Sequence, residues 1–294
     1  MSTRTEFGGI ALEQADHKLF TAFFSVYDDT VRFRRGWDVP LHSVPEGAPC
    51  YWILEGERRI GGALLGPNRI GPFFVIPPYR LSAAMLQAML TFARSVSNDA
   101  EPIRGLGILE HQAAAMEAAG FRRALTRRGM MRPTEPLPDP FAAGWNVRRP
   151  TAADADALGA LLYASYAQGT GDVVDDTLEE TQEEVGRFLS AFDGDPSLEA
   201  ASTVVVDPRT GAAAGVCLIG RVEGWPFVAH VAVLPQYRGF GLASAMIRHA
   251  ISALHASDPM LLLFVTVGNG AETVYEKLGF LAGPSVTRMT LSDA

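Results

Sequence analysis

Val231-Ala232-Val233-Leu234-Pro235-Gln236-Tyr237-Arg238-Gly239-Phe240-Gly241-Leu242-Ala243-Ser244 joins an apolar run to a glycine-rich turn. Val231 to Leu234 is an apolar run of buried-strand length, and Pro235 ends it because proline has no N–H for a ladder. Past the glycines the period changes. Ile247, Ile251 and Leu254 keep helical spacing, which predicts a helix to about His255. A strand, a glycine turn and a helix N-terminus together make an anion site. Free backbone N–H groups and the positive end of the helix dipole point the same way, and the glycines admit a close approach. Arg238 adds a cation suited to phosphate oxygens.

Two familiar phosphate loops do not fit. The third glycine of G-x-G-x-x-G is Ser244 here, and no Gly-Lys-Ser/Thr is present. The stretch resembles motif A of the GNAT N-acetyltransferase superfamily, Arg/Gln-x-x-Gly-x-Gly/Ala, as Arg238-x-x-Gly241-x-Ala243. Further on, Asn269-Gly270-Ala271 and Tyr275-Glu276-Lys277-Leu278-Gly279-Phe280 resemble motif B, with its alanine one place early. The order and spacing of the two motifs carry the resemblance.

The resemblance implies acetyl-CoA as acyl donor, in a gap between the strand ending at Val233 and one ending near Val267. Its pantetheine arm would pair with Val231, Ala232 and Val233. Its pyrophosphate would rest on Arg238, Gly239, Phe240, Gly241, Leu242, Ala243 and Ser244, with Asn269 nearby. The Val233 N–H would polarise the thioester, and Tyr275 would protonate the departing thiolate. A primary amine attacks directly, so no nucleophilic cysteine or serine is required. Plainer readings stand beside these: Arg238 as a surface arginine, Asn269 as a turn residue, Tyr275 as a packed aromatic, and Gly279-Phe280 as a helix cap and core plug. The general base is less defined. The expected positions hold Phe227 and Ala229, which take no proton. His230 has the opposite pleat parity, that of a core histidine, and Glu223 would act through water.

The halves of the chain repeat. Val75-x-Pro77-x-Tyr79-Arg80 aligns with Val233-x-Pro235-x-Tyr237-Arg238 at an offset of 158, and Gly120-Phe121 with Gly279-Phe280 at 159. The expected fold is therefore α/β (α+β), with two tandem GNAT-like domains. Each would be a mixed, mostly antiparallel sheet with splayed middle strands, flanked by helices. The first copy has lost its chemistry: Leu81 and Ala83 replace Gly239 and Gly241, Met116 replaces Tyr275, and Glu110 stands near the place of Asn269. Pro133, Pro136, Pro138 and Pro140 read as a stiff linker. The expected boundaries are a degenerate domain at 1–132, a linker at 133–144 and a catalytic domain at 145–294.

Within the second half the expected order is a strand at Trp145–Arg149, a helix opened by Thr151 with Asp154 as capping box, and a helix over Asp175–Phe192. A hairpin, the central strands Phe227–Leu234 and Leu261–Val267, and a closing strand Val286–Leu291 follow. Seven acidic and no basic residues lie between Asp172 and Glu184. They suit a cationic acceptor or, with Leu178, Val185, Leu189 and Phe192 turned inward, simply a solvated helix face.

The chain has 294 residues, 48% hydrophobic and 20% charged, with a formal net charge of −8. That balance argues against a nucleic-acid surface, since the basic runs Arg32–Arg35 and Arg122–Arg128 are short. Cys50 and Cys217 have neither redox nor metal spacing, and the six histidines lack partner ligands, so no metal is expected. No leader-like or membrane-spanning apolar run occurs, which predicts a cytoplasmic protein off the membrane. The expected activity is acetyl-CoA-dependent N-acetylation of a small-molecule or peptide amine, with a homodimer as a further expectation. The alternatives are another acyl-CoA donor, or a non-catalytic acyl-CoA-binding sensor or interaction protein.

Overall fold

The computed structural model describes residues 3–27, 44–98, 101–141, 144–166, 177–222 and 224–292. The chain divides into two compact units, Met1–Arg128 with Gly283–Ala294, and Gly129–Ala282. The first unit opens with β1 (Arg4–Phe7), β2 (Ile10–Gln14) and α1 (His17–Tyr27). Next come β3 (Cys50–Glu55), β4 (Arg58–Gly66) and β5 (Arg69–Val75), then α2 (Ala83–Val96), β6 (Arg104–Leu109) and α3 (Glu110–Ala118). β7 (Phe121–Pro133) gives its residues to Arg128 to this unit and the rest to the second.

The second unit contains β8 (Asn146–Arg148), α4 (Ala155–Tyr166), α5 (Leu178–Ser190), α6 (Pro196–Ala201), β9 (Thr203–Val206) and β10 (Ala213–Val222). It continues with β11 (Trp225–Val233), α7 (Leu242–Leu254), β12 (Met260–Thr266) and α8 (Ala271–Lys277). The last strand, β13 (Leu281–Leu291), has most of its length in the first unit.

Strand order is β1-β2-β3-β4-β5-β6-β13 in the first unit and β12-β11-β10-β9-β8 in the second. In each, one parallel pair interrupts antiparallel neighbours. β5 meets β6 at Arg69↔Arg104 and Ile70↔Gly105. β11 meets β12 at Phe227↔Leu262 and Val228↔Leu263. All four residues of the second pair stand 158 positions after those of the first. The repeat in the sequence is thus a repeat of register, and in both units the parallel strands separate after two pairs.

The contact boundaries run differently from those read in the sequence, for two reasons. β13 pairs antiparallel with β6, through Val286↔Leu109 and Thr287↔Ile108, so the closing strand belongs to the first unit. Pro133 ends β7, and residues 134–141 have no regular structure, in keeping with the missing N–H groups of Pro136, Pro138 and Pro140. The segment is nevertheless held to the second unit: Leu137 N–H donates to Ser252 Oγ at 3.1 Å, and Leu137 and Phe141 pack on that unit's core. The run Arg122–Arg128 is part of β7, and Arg123 is bound by Glu110 and Glu117 at 2.8 Å each. The run Arg32–Arg35 lies outside the described residues. The inward stripe of α5 starts at Thr181, not Leu178; Leu178 is 41% exposed while Thr181, Val185 and Leu189 are buried.

The capping box ahead of α4 is present. Thr151 N–H donates to Asp154 Oδ2 at 2.7 Å, and Arg148 donates to both carboxylate oxygens, at 2.6 and 2.8 Å. The Arg148 hydrogen bonds, with help from Thr151, hold the Asp154 carboxyl down at about 2. A depressed native pKa contributes stability above the unfolded value, 3.8, and that contribution is lost as pH falls toward 2. Asp154→Ala is therefore expected to cost about 1–2 kcal/mol in urea unfolding at pH 7. The difference from the parent should shrink between about pH 4 and pH 2; a constant difference would assign the loss to packing.

Candidate functional site

The quoted stretch folds as strand, turn and helix. β11 ends at Val233, a single 3₁₀ turn covers Pro235–Tyr237, and α7 begins at Leu242. Gly239 and Gly241 have φ of +85° and +76°, a left-handed conformation that costs side-chain-bearing residues strain. Gly241 is the N-cap of α7 and no side chain caps the helix, so its first N–H groups are not turned inward by a capping oxygen. Nothing lies within 4 Å of where a Cβ would stand on either glycine, so the space over the loop is open. The apolar face of α7 anchors it, with Met246, Ile247, Ala250, Ile251 and Leu254 at zero exposure.

Arg238 turns back on its own unit. Its Nε lies 3.3 Å from the Val233 carbonyl, and its Nη2 donates at 3.1 Å to the Ser165 carbonyl near the end of α4. Beside it Phe240 is 66% exposed and stands edge-on to Trp145 at 6.0 Å.

Among the described residues, Val231, Ala232 and Val233 pair with β10 on one edge only, through Cys217, Val216 and Gly215. On the other edge the last pair with β12 is at Val228, which leaves a gap between the strands. Leu234 N–H donates to Ala214 O on β10 at 3.0 Å. Successive N–H groups along a strand leave opposite edges, so the Val233 N–H and the Val231 carbonyl face the gap.

α8 starts on the far side of that gap. Asn269 Oδ1 accepts the Ala271 N–H at 2.9 Å, and the Asn269 N–H donates to Thr266 O at 3.0 Å, so this residue builds the turn into α8. Tyr275 is half-buried, edge-on to Phe280 with ring centres 6.2 Å apart. Gly279 N–H donates to Glu276 O and Phe280 N–H to Tyr275 O, a Schellman cap with Gly279 at φ +85°. Gly279-Phe280 is thus the cap and core plug, as its sequence suggested.

Parity along β11 is where the sequence misleads. The ladder with β10 passes from Val228↔Ile219 to His230↔Leu218, so Ala229 is an extra, unpaired residue. Such a bulge shifts the pleat by one. His230 therefore shares the α5 side with Phe227; Phe188 stands edge-on to both, at 5.6 Å and 6.3 Å. His230 Nε2 is buried without a hydrogen bond and lies 3.5 Å from Glu184 Oε2. Glu184 and Phe188 also line a pocket of about 510 Å³ with Ala191, Leu198 and Gly220. Glu223, Asp172, Asp175 and Asp176 lie outside the described residues.

The first unit has the same frame with the site closed. Ser82 caps α2, its Oγ accepting the Met85 N–H at 3.2 Å where the second unit leaves Gly241 bare. Gln112, which is buried, spans the parallel strands: its Oε1 accepts the Leu109 N–H at 3.0 Å, and its Nε2 donates to the Phe73 carbonyl at 3.3 Å. Phe73 is the counterpart of Val231 in the repeat, and Gln112 that of Ala271. An open carbonyl in one unit is a satisfied one in the other.

Residues 199–281 match the family described as acetyltransferase (GNAT) domain. That match covers β9 to the start of β13, the part of the second unit that holds the strand, loop and helix described above. Members of that family are acetyltransferases that use acetyl-CoA as co-substrate. The whole chain has the tandem GNAT fold. It is similar to a GCN5-related N-acetyltransferase from Sphaerobacter thermophilus, at TM-score 0.70 and 16% identity, over 99% of this chain and 98% of that one. A tandem GNAT protein from the clavulanic acid biosynthesis pathway matches at TM-score 0.61 and 13% identity, over 97% and 99%. A GNAT-family acetyltransferase from Colwellia psychrerythraea matches at 0.58 and 10%, over 99% and 100%. No curated protein sequence matches the chain. Among the described residues no group of His, Cys, Asp or Glu is placed to hold a metal ion, and no helix is long and apolar enough to cross a membrane.

Proposed function

We propose that the second unit transfers an acetyl group from acetyl-CoA to a primary amine by direct attack. The observation that carries this reading is the one-sided strand Val231–Val233, which leads through Gly239 and Gly241 into an uncapped helix N-terminus. The strand edge suits the amides of pantetheine, and the loop Arg238–Ser244 suits its pyrophosphate. The Val233 N–H would steady the oxyanion as the amine nitrogen bonds to the thioester carbon. The C–S bond then breaks, and Tyr275 would protonate the thiolate. His230, on the α5 side of the strand, is the favoured acceptor of the amine's proton, with Glu223 as the other candidate.

The acceptor is a small molecule or a peptide amine. The exposed acids Glu179 and Glu183, with the half-buried Glu184, favour a cationic one. The test is release of CoA thiol from acetyl-CoA across amino acids, polyamines, aminoglycosides and lysine peptides. Amine-dependent thiol release is the expected result. Tight acetyl-CoA binding with no turnover on any amine would instead make the protein an acyl-CoA sensor, and faster release from a longer acyl-CoA would change the donor.

A further inference from the structure

Resting on the proposed acetyl transfer, one side-chain pair gives that site a further part. His230 is held by two rings, Tyr166 of α4 at 6.3 Å and Phe188 of α5 at 5.6 Å between centres. Its Nε2 faces Glu184 Oε2 at 3.5 Å, and no hydrogen bond reaches that nitrogen. A buried polar nitrogen without a partner is costly, and a carboxylate at that distance is its natural one. Glu184 of α5 is the charged group beside the imidazole, and the Tyr166 ring of α4 stands on another side of it. β10 faces it with Leu218. The histidine side chain is 15% exposed and that of Glu184 is 34% exposed. Glu184 therefore connects the imidazole to the pocket of about 510 Å³, whose wall it shares with Phe188 and Leu198.

We infer that Glu184 is a positioning residue: its carboxylate accepts the Nε2–H of neutral His230 and so presents the Nδ1 lone pair to the attacking amine. The two nitrogens of imidazole are distinct, and a hydrogen bond on one fixes the role of the other. The step balances. The amine nitrogen bonds to the carbonyl carbon and gives one proton to Nδ1, while the C–S electron pair leaves on sulfur and takes the Tyr275 proton. The imidazolium so formed lies beside a carboxylate and is stabilised by it. Acceptors enter from the pocket along α5, where Phe188, Ala191 and Leu198 offer an apolar wall to the body of the amine.

Two measurements on the full chain test this. The first needs no acceptor. The imidazole N–H proton resonance of His230, identified by its loss in His230→Gln, should move in Glu184→Leu; an unmoved resonance overturns the pairing. That reading stands even if every amine fails, so failure of the pair is separable from failure of acetyl transfer. The second is a double-mutant cycle on kcat with the best amine of the panel. Glu184→Gln should lower kcat by about tenfold in the parent, with acetyl-CoA affinity unchanged, and Glu184→Asp should restore part of it. In the His230→Gln background the same substitution should cost almost nothing, because the carboxylate acts through the imidazole. Equal losses in both backgrounds would overturn the proposal and leave Glu184 a structural residue.

Discussion

Tyr275→Phe is expected to lower kcat by about 10²-fold, the lower end of what a general acid contributes. A departing thiolate is a better leaving group when a nearby acid gives it a proton. Tyr275 sits on α8, the helix that follows β12. The phenyl ring keeps the 6.2 Å edge-on contact with Phe280, and the Tyr275 carbonyl still caps Phe280 N–H. Folding and acetyl-CoA binding should therefore persist. Loss of an interaction made only in the transition state reduces kcat and kcat/KM together. Stopped-flow thiol detection with saturating acetyl-CoA measures it. Near-normal turnover would assign thiolate protonation to water or another group; lost acetyl-CoA binding would assign Tyr275 to structure.

The fold was legible because its two deciding signals are local. The Pro235 stop and the Gly239/Gly241 turn set the strand–loop–helix unit wherever it occurs, and a repeat at 158 residues transfers that reading to the first half. The exchange of the last strand was not legible. β13 suits either sheet by composition, and only its pairing with β6 decides which unit it completes. The β1–β2 hairpin and most of β7 were missed as well. In β7 four arginines between Arg122 and Arg128 hid the alternation, although the strand buries Phe121 and Met130. At the site, strict alternation put His230 on the wrong side, because the extra residue at Ala229 leaves no mark in the sequence. Glu184 was visible only as one acid among seven. Its proximity to His230 follows from how α5 packs on β11, and no spacing rule reports that.

One acetyl-CoA should bind per chain, in the second unit, and Gly241→Val should abolish that binding. A valine at Gly241 meets no protein atom within 4 Å, so the cost comes from the backbone and from the ligand. At φ +76° a β-branched residue is strained by about 1–3 kcal/mol, and relief of that strain turns the N–H groups at the start of α7 away from the phosphates. Its methyls would occupy the space the pyrophosphate needs. In the first unit no such site competes. Ser82 already fills the capping position of α2, and Gln112 already takes the Phe73 carbonyl and the Leu109 N–H that a pantetheine arm would seek. Displacing a buried, doubly bonded amide costs about as much as a new pair of hydrogen bonds would return, so a ligand gains nothing there. Titration calorimetry should find a stoichiometry near one for the parent and no heat of binding for Gly241→Val. Two sites per chain, or binding that survives the valine, would place acetyl-CoA in the first unit and reverse the assignment of the active half.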